Sequence, residues 1–198
     1  MISKLAQVGL AVAVVGGTTV GVSAQAGAAV KPCSIGTWKL LGEQMQGHGI
    51  YKGVRWRQNV HGGAGIKLTI GAKTASYDFT GSAKEWIAGV DGGQAYLDWD
   101  QYTGYVKLPV KVAGNTKGSY VSYGKTATGT AGGRFMYVKP TPGPGKPWNV
   151  VANLRKGGTE SLIATKATFT CSATQLVQTQ KFNSTTASSV ETLTYRRV

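Results

Sequence analysis

Apolar and polar residues alternate with a period of two along most of this chain. Ile66, Leu68 and Ile70 face one way and Lys67 and Thr69 the other. Val106, Leu108, Val110 and Val112 oppose Lys107 and Lys111, and Val54, Trp56 and Val60 oppose Arg55, Arg57 and Asn59. Ile163, Thr165, Ala167, Phe169 and Cys171 share another face, and Trp148, Val150, Ala152 and Leu154 repeat the pattern. Successive side chains of a strand point to opposite sides, so this spacing describes strands with one dry and one wet face, as in antiparallel sheets. Gly62-Gly63, Asp91-Gly92-Gly93, Gly114-Asn115 and Gly157-Gly158 separate the runs and suit hairpin turns. With 29 glycines and only 15% charged residues, the composition disfavours a helix bundle. The expected fold is all-β, a single antiparallel meander barrel of eight to ten strands.

Two segments interrupt the alternation. Lys139–Pro147 holds four prolines and reads as an extended hairpin loop. Asn183–Val190 is rich in Ser and Thr and reads as an exposed loop. At the start, Lys4 precedes the apolar run Val8–Val15, and small residues follow at Val22-Ser23-Ala24 and Ala26-Gly27-Ala28. That is the form of a signal peptide, residues 1–28, with cleavage after Ala24, Ala26 or Ala28. Residues 29–198 are then the secreted, extracellular barrel domain, with no later stretch apolar enough to span a membrane. An exported chain with two cysteines, Cys33 and Cys171, is expected to join them.

The formal net charge is +14, from 22 basic and 8 acidic side chains. No acid occurs between Asp100 and Glu160, a window that includes Lys107, Lys111 and Lys117. Those three are candidate anion-binding residues, for an anionic envelope polymer or a lipid surface. Export and the lack of a recognition motif argue against nucleic acid.

No catalytic or metal constellation stands out, and no cofactor is implied. Asp98 and Asp100 share a strand face, and such a pair could do acid–base work or hold calcium. Alternation favours a solvated pair instead. His48 and His61 are flanked by glycine and read as loop tips without a third metal ligand. The chain therefore reads as a binding protein, not an enzyme.

The expected mature domain begins with Cys33-Ser-Ile-Gly36-Thr-Trp38 and ends with Thr192-Leu-Thr-Tyr-Arg196-Arg197-Val. This framing resembles the calycin superfamily, and within it the lipocalin-like secreted barrel proteins of bacteria. The resemblance implies that Gly36 and Trp38 open the barrel and that Arg196 or Arg197 packs over Trp38 to close it. It also implies a cup for a small hydrophobic ligand, with Trp56, Tyr77, Phe79 and Trp99 as candidate lining.

Overall fold

The computed structural model describes residues 32–198, so Lys4 and the expected signal peptide lie outside the described residues. The protein is all-β, a closed antiparallel eight-stranded barrel with additional strands. The strands in chain order are β1 (Gly36–Tyr51), β2 (Val54–Gly62), β3 (Lys67–Ile70), β4 (Thr74–Asp78), β5 (Glu85–Asp91) and β6 (Gln94–Thr103). They continue with β7 (Tyr105–Gly114), β8 (Lys117–Ser122), β9 (Thr128–Gly129), β10 (Gly132–Lys139), β11 (Gly143–Pro144) and β12 (Trp148–Asn149). A helix, α1 (Val150–Arg155), precedes β13 (Lys166–Cys171), β14 (Gln175–Asn183) and β15 (Ala187–Arg197).

β1 belongs to two structures at once. Its first residues pair with β3, from Gly36 opposite Ile70 to Lys39 opposite Lys67. That contact closes the barrel β1-β15-β14-β13-β8-β7-β4-β3. After a bulge between Leu40 and Gly42, the rest of β1 pairs with β2, from Glu43 opposite Gly62 to Tyr51 opposite Val54. From β2 the sheet runs outward as β5, β6, β10 and β11, a wing beyond the barrel. A bulge bends its strand and raises the local twist. Here it lies where the strand leaves one neighbour for the other.

The barrel interior is filled. Trp38, Leu68, Tyr77, Leu108, Tyr120, Leu193 and Tyr195 are buried there, and the Tyr77 and Tyr120 hydroxyls meet at 3.2 Å. One end is sealed by the Cys33–Cys171 disulfide, whose Cα atoms are 6.1 Å apart. Beside it, the Arg197 guanidinium lies 4.1 Å from the centre of the Trp38 ring and donates to the Cys33 carbonyl at 2.6 Å. Arg197 is thus the residue over Trp38, a cation–π contact that also satisfies carbonyls of the N-terminal lead. Arg196 points outward, opposite Lys39. Gly36 is needed at this end, because a Cβ there would strike the Arg197 guanidinium.

The other end is closed by α1 and the segment that follows it, where Leu162, Ile163 and Ala164 are buried. Three expectations are corrected at this end. Val150–Leu154 is helix, not strand: the Asn149 side chain accepts from the Ala152 N–H at 2.8 Å, and Val150, Val151 and Leu154 are its buried residues. That cap and spacing fit one helical face as well as they fit alternation. Gly157, with φ 85°, ends the helix instead of turning a hairpin. Ile163 and Thr165 likewise precede β13 and belong to the plugging segment. The proline-rich stretch turns back on β10 through β11, with Gly143 opposite Tyr137.

Candidate functional site

The inner face of the barrel continues onto the wing, and its chemistry changes there. Successive rows across the wing read Glu43, Gly62, Glu85 and Asp100, then Met45, Val60, Ile87 and Asp98. The next rows are Gly47, Gln58, Gly89 and Tyr96, then Gly49, Trp56, Asp91 and Gln94. The outer rows enclose a groove of about 580 Å³. Tyr51, Trp56, Tyr96 and Tyr137 form its aromatic walls, and Gln58, Gln94, Asp91, Asp98 and Lys139 supply its polar groups. Tyr51 is 67% and Tyr137 49% exposed, so the groove is open at its rim.

Glycines set how two of the rings lie. A Cβ on Gly49 would approach the Trp56 indole to 2.9 Å, and one on Gly47 would approach it to 3.3 Å. A Cβ on Gly89 would meet the Tyr96 ring at 2.5 Å. The indole therefore lies across β1 and the phenol across β5, each over bare backbone. The Tyr96 hydroxyl donates to Gln58 Oε1 at 3.2 Å. Asp98 is 7% exposed, and its Oδ1 has no hydrogen-bond partner in the protein. Burial raises its carboxyl above the usual range, a rise opposed by a bond from the Val138 backbone.

Below the groove lies a buried acid network. The Ser161 hydroxyl donates to Glu85, and Glu160 accepts from the Trp148 indole at 3.0 Å and from Asn153 at 2.8 Å. Glu191 accepts from the Leu162 N–H at 3.1 Å and from Gln180, so it satisfies the backbone of the plugging segment. Both Glu43 oxygens are buried without such a partner, beside Glu85 and Glu191. Burial, reinforced by those two neighbours, pushes the Glu43 carboxyl far up. Burial raises Glu85 and Glu191 too, and pushes Asp100 up to about 7. Glu43 therefore keeps its proton at neutral pH, which removes the cost of a buried charge, while Glu85 and Asp100 titrate close to neutrality. Among the described residues, no three His, Cys, Asp or Glu side chains are arranged to hold a metal ion.

Of the four aromatic residues expected to line a cup, only Tyr77 and Phe79 meet, with ring centres 6.5 Å apart. Tyr77 and Phe79 are core residues, 0% and 1% exposed. Trp56 lines the wing groove. Trp99 is on the opposite side of the wing, opposite Trp86, with Lys84 Nζ 3.8 Å from its ring centre. Asp98 and Asp100 lie on the inner face rather than on a wet one, because the wing's inner side is covered by the plugging segment and by neighbouring side chains. His48 and His61 lie within β1 and β2, not at loop tips. Lys107 and Lys111 are exposed on the outer wall of β7, and Lys117 is exposed at the start of β8. The acid clustering was not visible in sequence, since Glu43, Glu85, Glu160 and Glu191 are far apart in the chain. The glycines at 47, 49 and 89 were a signal: each interrupts a strand, where Gly marks a close approach.

Comparison of the chain with protein families, with curated proteins and with solved structures finds no match.

Proposed function

We propose that this protein is an exported, non-enzymatic binding protein whose ligand lies in the wing groove and not inside the barrel. The observation that carries this reading is the pair of rings laid across glycine positions, beside a buried carboxylate oxygen without a partner. Aromatic walls with a few placed polar groups are the usual make-up of a small-ligand site. A lipocalin-like ancestry is supported by the Trp38–Arg197 stack at the closed end. The disulfide supports export, since such bonds persist in oxidising compartments. The filled barrel leaves the groove as the place for a ring-bearing ligand. Titrating the ¹⁵N-labelled protein with 4-methylumbelliferone, a flat hydroxyl-bearing ring, tests this. The amides of Gln58, Gly89 and Tyr96 should shift while those of Tyr77 and Phe79 stay. Shifts at Tyr77 and Phe79 alone would return the ligand to the barrel.

A second reading is adhesion to an anionic polymer or lipid surface. Lys39 faces Arg196 on one side and Lys67 on the other, three bases side by side on the outer wall. Like charges directly opposite are destabilising, and a bound polyanion would relieve them.

A further inference from the structure

We infer that the wing groove takes a neutral saccharide chain, held by ring stacking and by hydroxyl hydrogen bonds; this rests on the groove being the ligand site. Pyranose rings present flat C–H faces bounded by hydroxyls. The groove matches both parts. The Trp56 indole reaches over both Gly47 and Gly49, and the Tyr96 phenol reaches over Gly89 towards Gln58, so each ring crosses bare backbone in the groove wall. Asp98 lines the groove and its Oδ1 is buried without a donor, so a small turn of the carboxyl lets it accept from a ligand O–H. Gln58 uses its Oε1 for the Tyr96 hydroxyl, which leaves Nε2 to donate.

Charge selects among polar ligands. An organic cation would meet Lys139 at the rim, and an anion would meet Asp91 and Asp98. A neutral polyol avoids both repulsions and can donate to the acids and accept from the lysine. The exposed rims at Tyr51 and Tyr137 favour a chain that extends beyond the groove over a molecule enclosed by it. Acids are scarce in this basic protein, only 8 against 22 bases, yet two of them line this one groove.

Cellohexaose and hexa-N-acetylchitohexaose, neutral chains with equatorial hydroxyls, are the probes. Calorimetric titration of the purified protein should show binding of at least one, with the same amide shifts at Gln58, Gly89 and Tyr96. Trp56→Ala should weaken it about tenfold or more, as loss of a stacking face does. Asp98→Asn, which keeps size but exchanges an acceptor oxygen for a donor amide, should weaken it too. A melting temperature for Trp56→Ala within a few degrees of the parent's shows that the fold persists. If neither oligosaccharide binds at about 10 mM, a weak limit for a specific site, while 4-methylumbelliferone still shifts the groove amides, the saccharide assignment fails and the site stands. If no probe moves those amides, both fail. Binding that Trp56→Ala and Asp98→Asn leave unchanged also overturns the assignment.

Discussion

The lower and upper halves of β1 share one inner face but border different surroundings. In the barrel that face carries Trp38 and Leu40, both buried. Beyond the bulge it carries Glu43, Met45, Gly47 and Gly49. The barrel closes on itself, so each inner side chain meets others from across the lumen and must be apolar or paired. The wing has nothing opposite its outer rows, so polar groups and ring faces there can stay unsatisfied until a ligand arrives. The same alternation thus builds a core in one region and a binding surface in the other. Between them lies the acid network, which fastens the plugging segment and marks the level where the barrel stops.

Removing one tryptophan from the barrel and one from the wing has the largest expected effect. Trp38→Ala should cost about 3–5 kcal/mol, because it opens a cavity and strands Arg197. Trp56→Ala should cost under about 1 kcal/mol, since its ring rests on an open face. Equal losses in urea denaturation would mean that the wing is a second core.

The disulfide ranks next. Its two cysteines are separated by 138 positions, and chain entropy gives the bridge up to about 5 kcal/mol. Cys33→Ala with Cys171→Ala should lower stability by about 2–5 kcal/mol, yet leave the groove amides near their native shifts in the fraction that remains folded. The bridge ties the end of the barrel remote from the wing, so altered groove shifts would show that the two regions fold as one rigid unit.

The acid network predicts a pH dependence. The Asp100 carboxyl titrates near 7 in the folded protein, and Glu43, Glu85 and Glu191 are also raised. The folded state then binds more protons than the unfolded one above about pH 4, so stability falls as pH rises from there through 7. A loss of at least about 1 kcal/mol between pH 5 and 8 is expected, led by Glu43 and smaller at Asp100, which solvent partly screens. Melting curves should show the plugging segment and wing loosening before the disulfide end. Higher stability at pH 8 than at pH 5 would contradict the protonated network.

The smallest effects belong to the outer wall. Replacing Lys107, Lys111 and Lys117 by Gln should change stability by under about 0.5 kcal/mol, as solvated charges contribute little. If the wall binds polyanions, replacing Lys39, Lys67 and Arg196 should lower the salt needed to elute the protein from heparin more than the first triple change does. These three adjoin across neighbouring strands, whereas the first three are spread along one hairpin. Identical elution of both variants and the parent would leave the charge without a binding role.

Much of the barrel was legible in the sequence. Runs such as Val106–Val112 and Ile66–Ile70 state which residues share a face, and period two is a local property of the backbone. The two cysteines and the Trp38 region were legible for the same reason: each is read from its own residue types. Val150–Leu154 was misread because five residues satisfy both periods, and only Asn149 marks the helix start.

The sequence by itself therefore determined that this chain is β, that its strands have one apolar side, and that its ends can be joined. Which face meets which neighbour was left to the tertiary structure, because cross-strand register couples residues far apart in the chain. That register puts Gly89 between Gln58 and Tyr96 and sets Glu85 beside Asp100. It also decides that β1 leaves β3 for β2 at its bulge, so Trp38 enters a closed core while Gly47 and Gly49 become the floor beneath a ring. A strand's alternation says that a side chain points inward; only closure of the sheet says whether anything lies there to meet it.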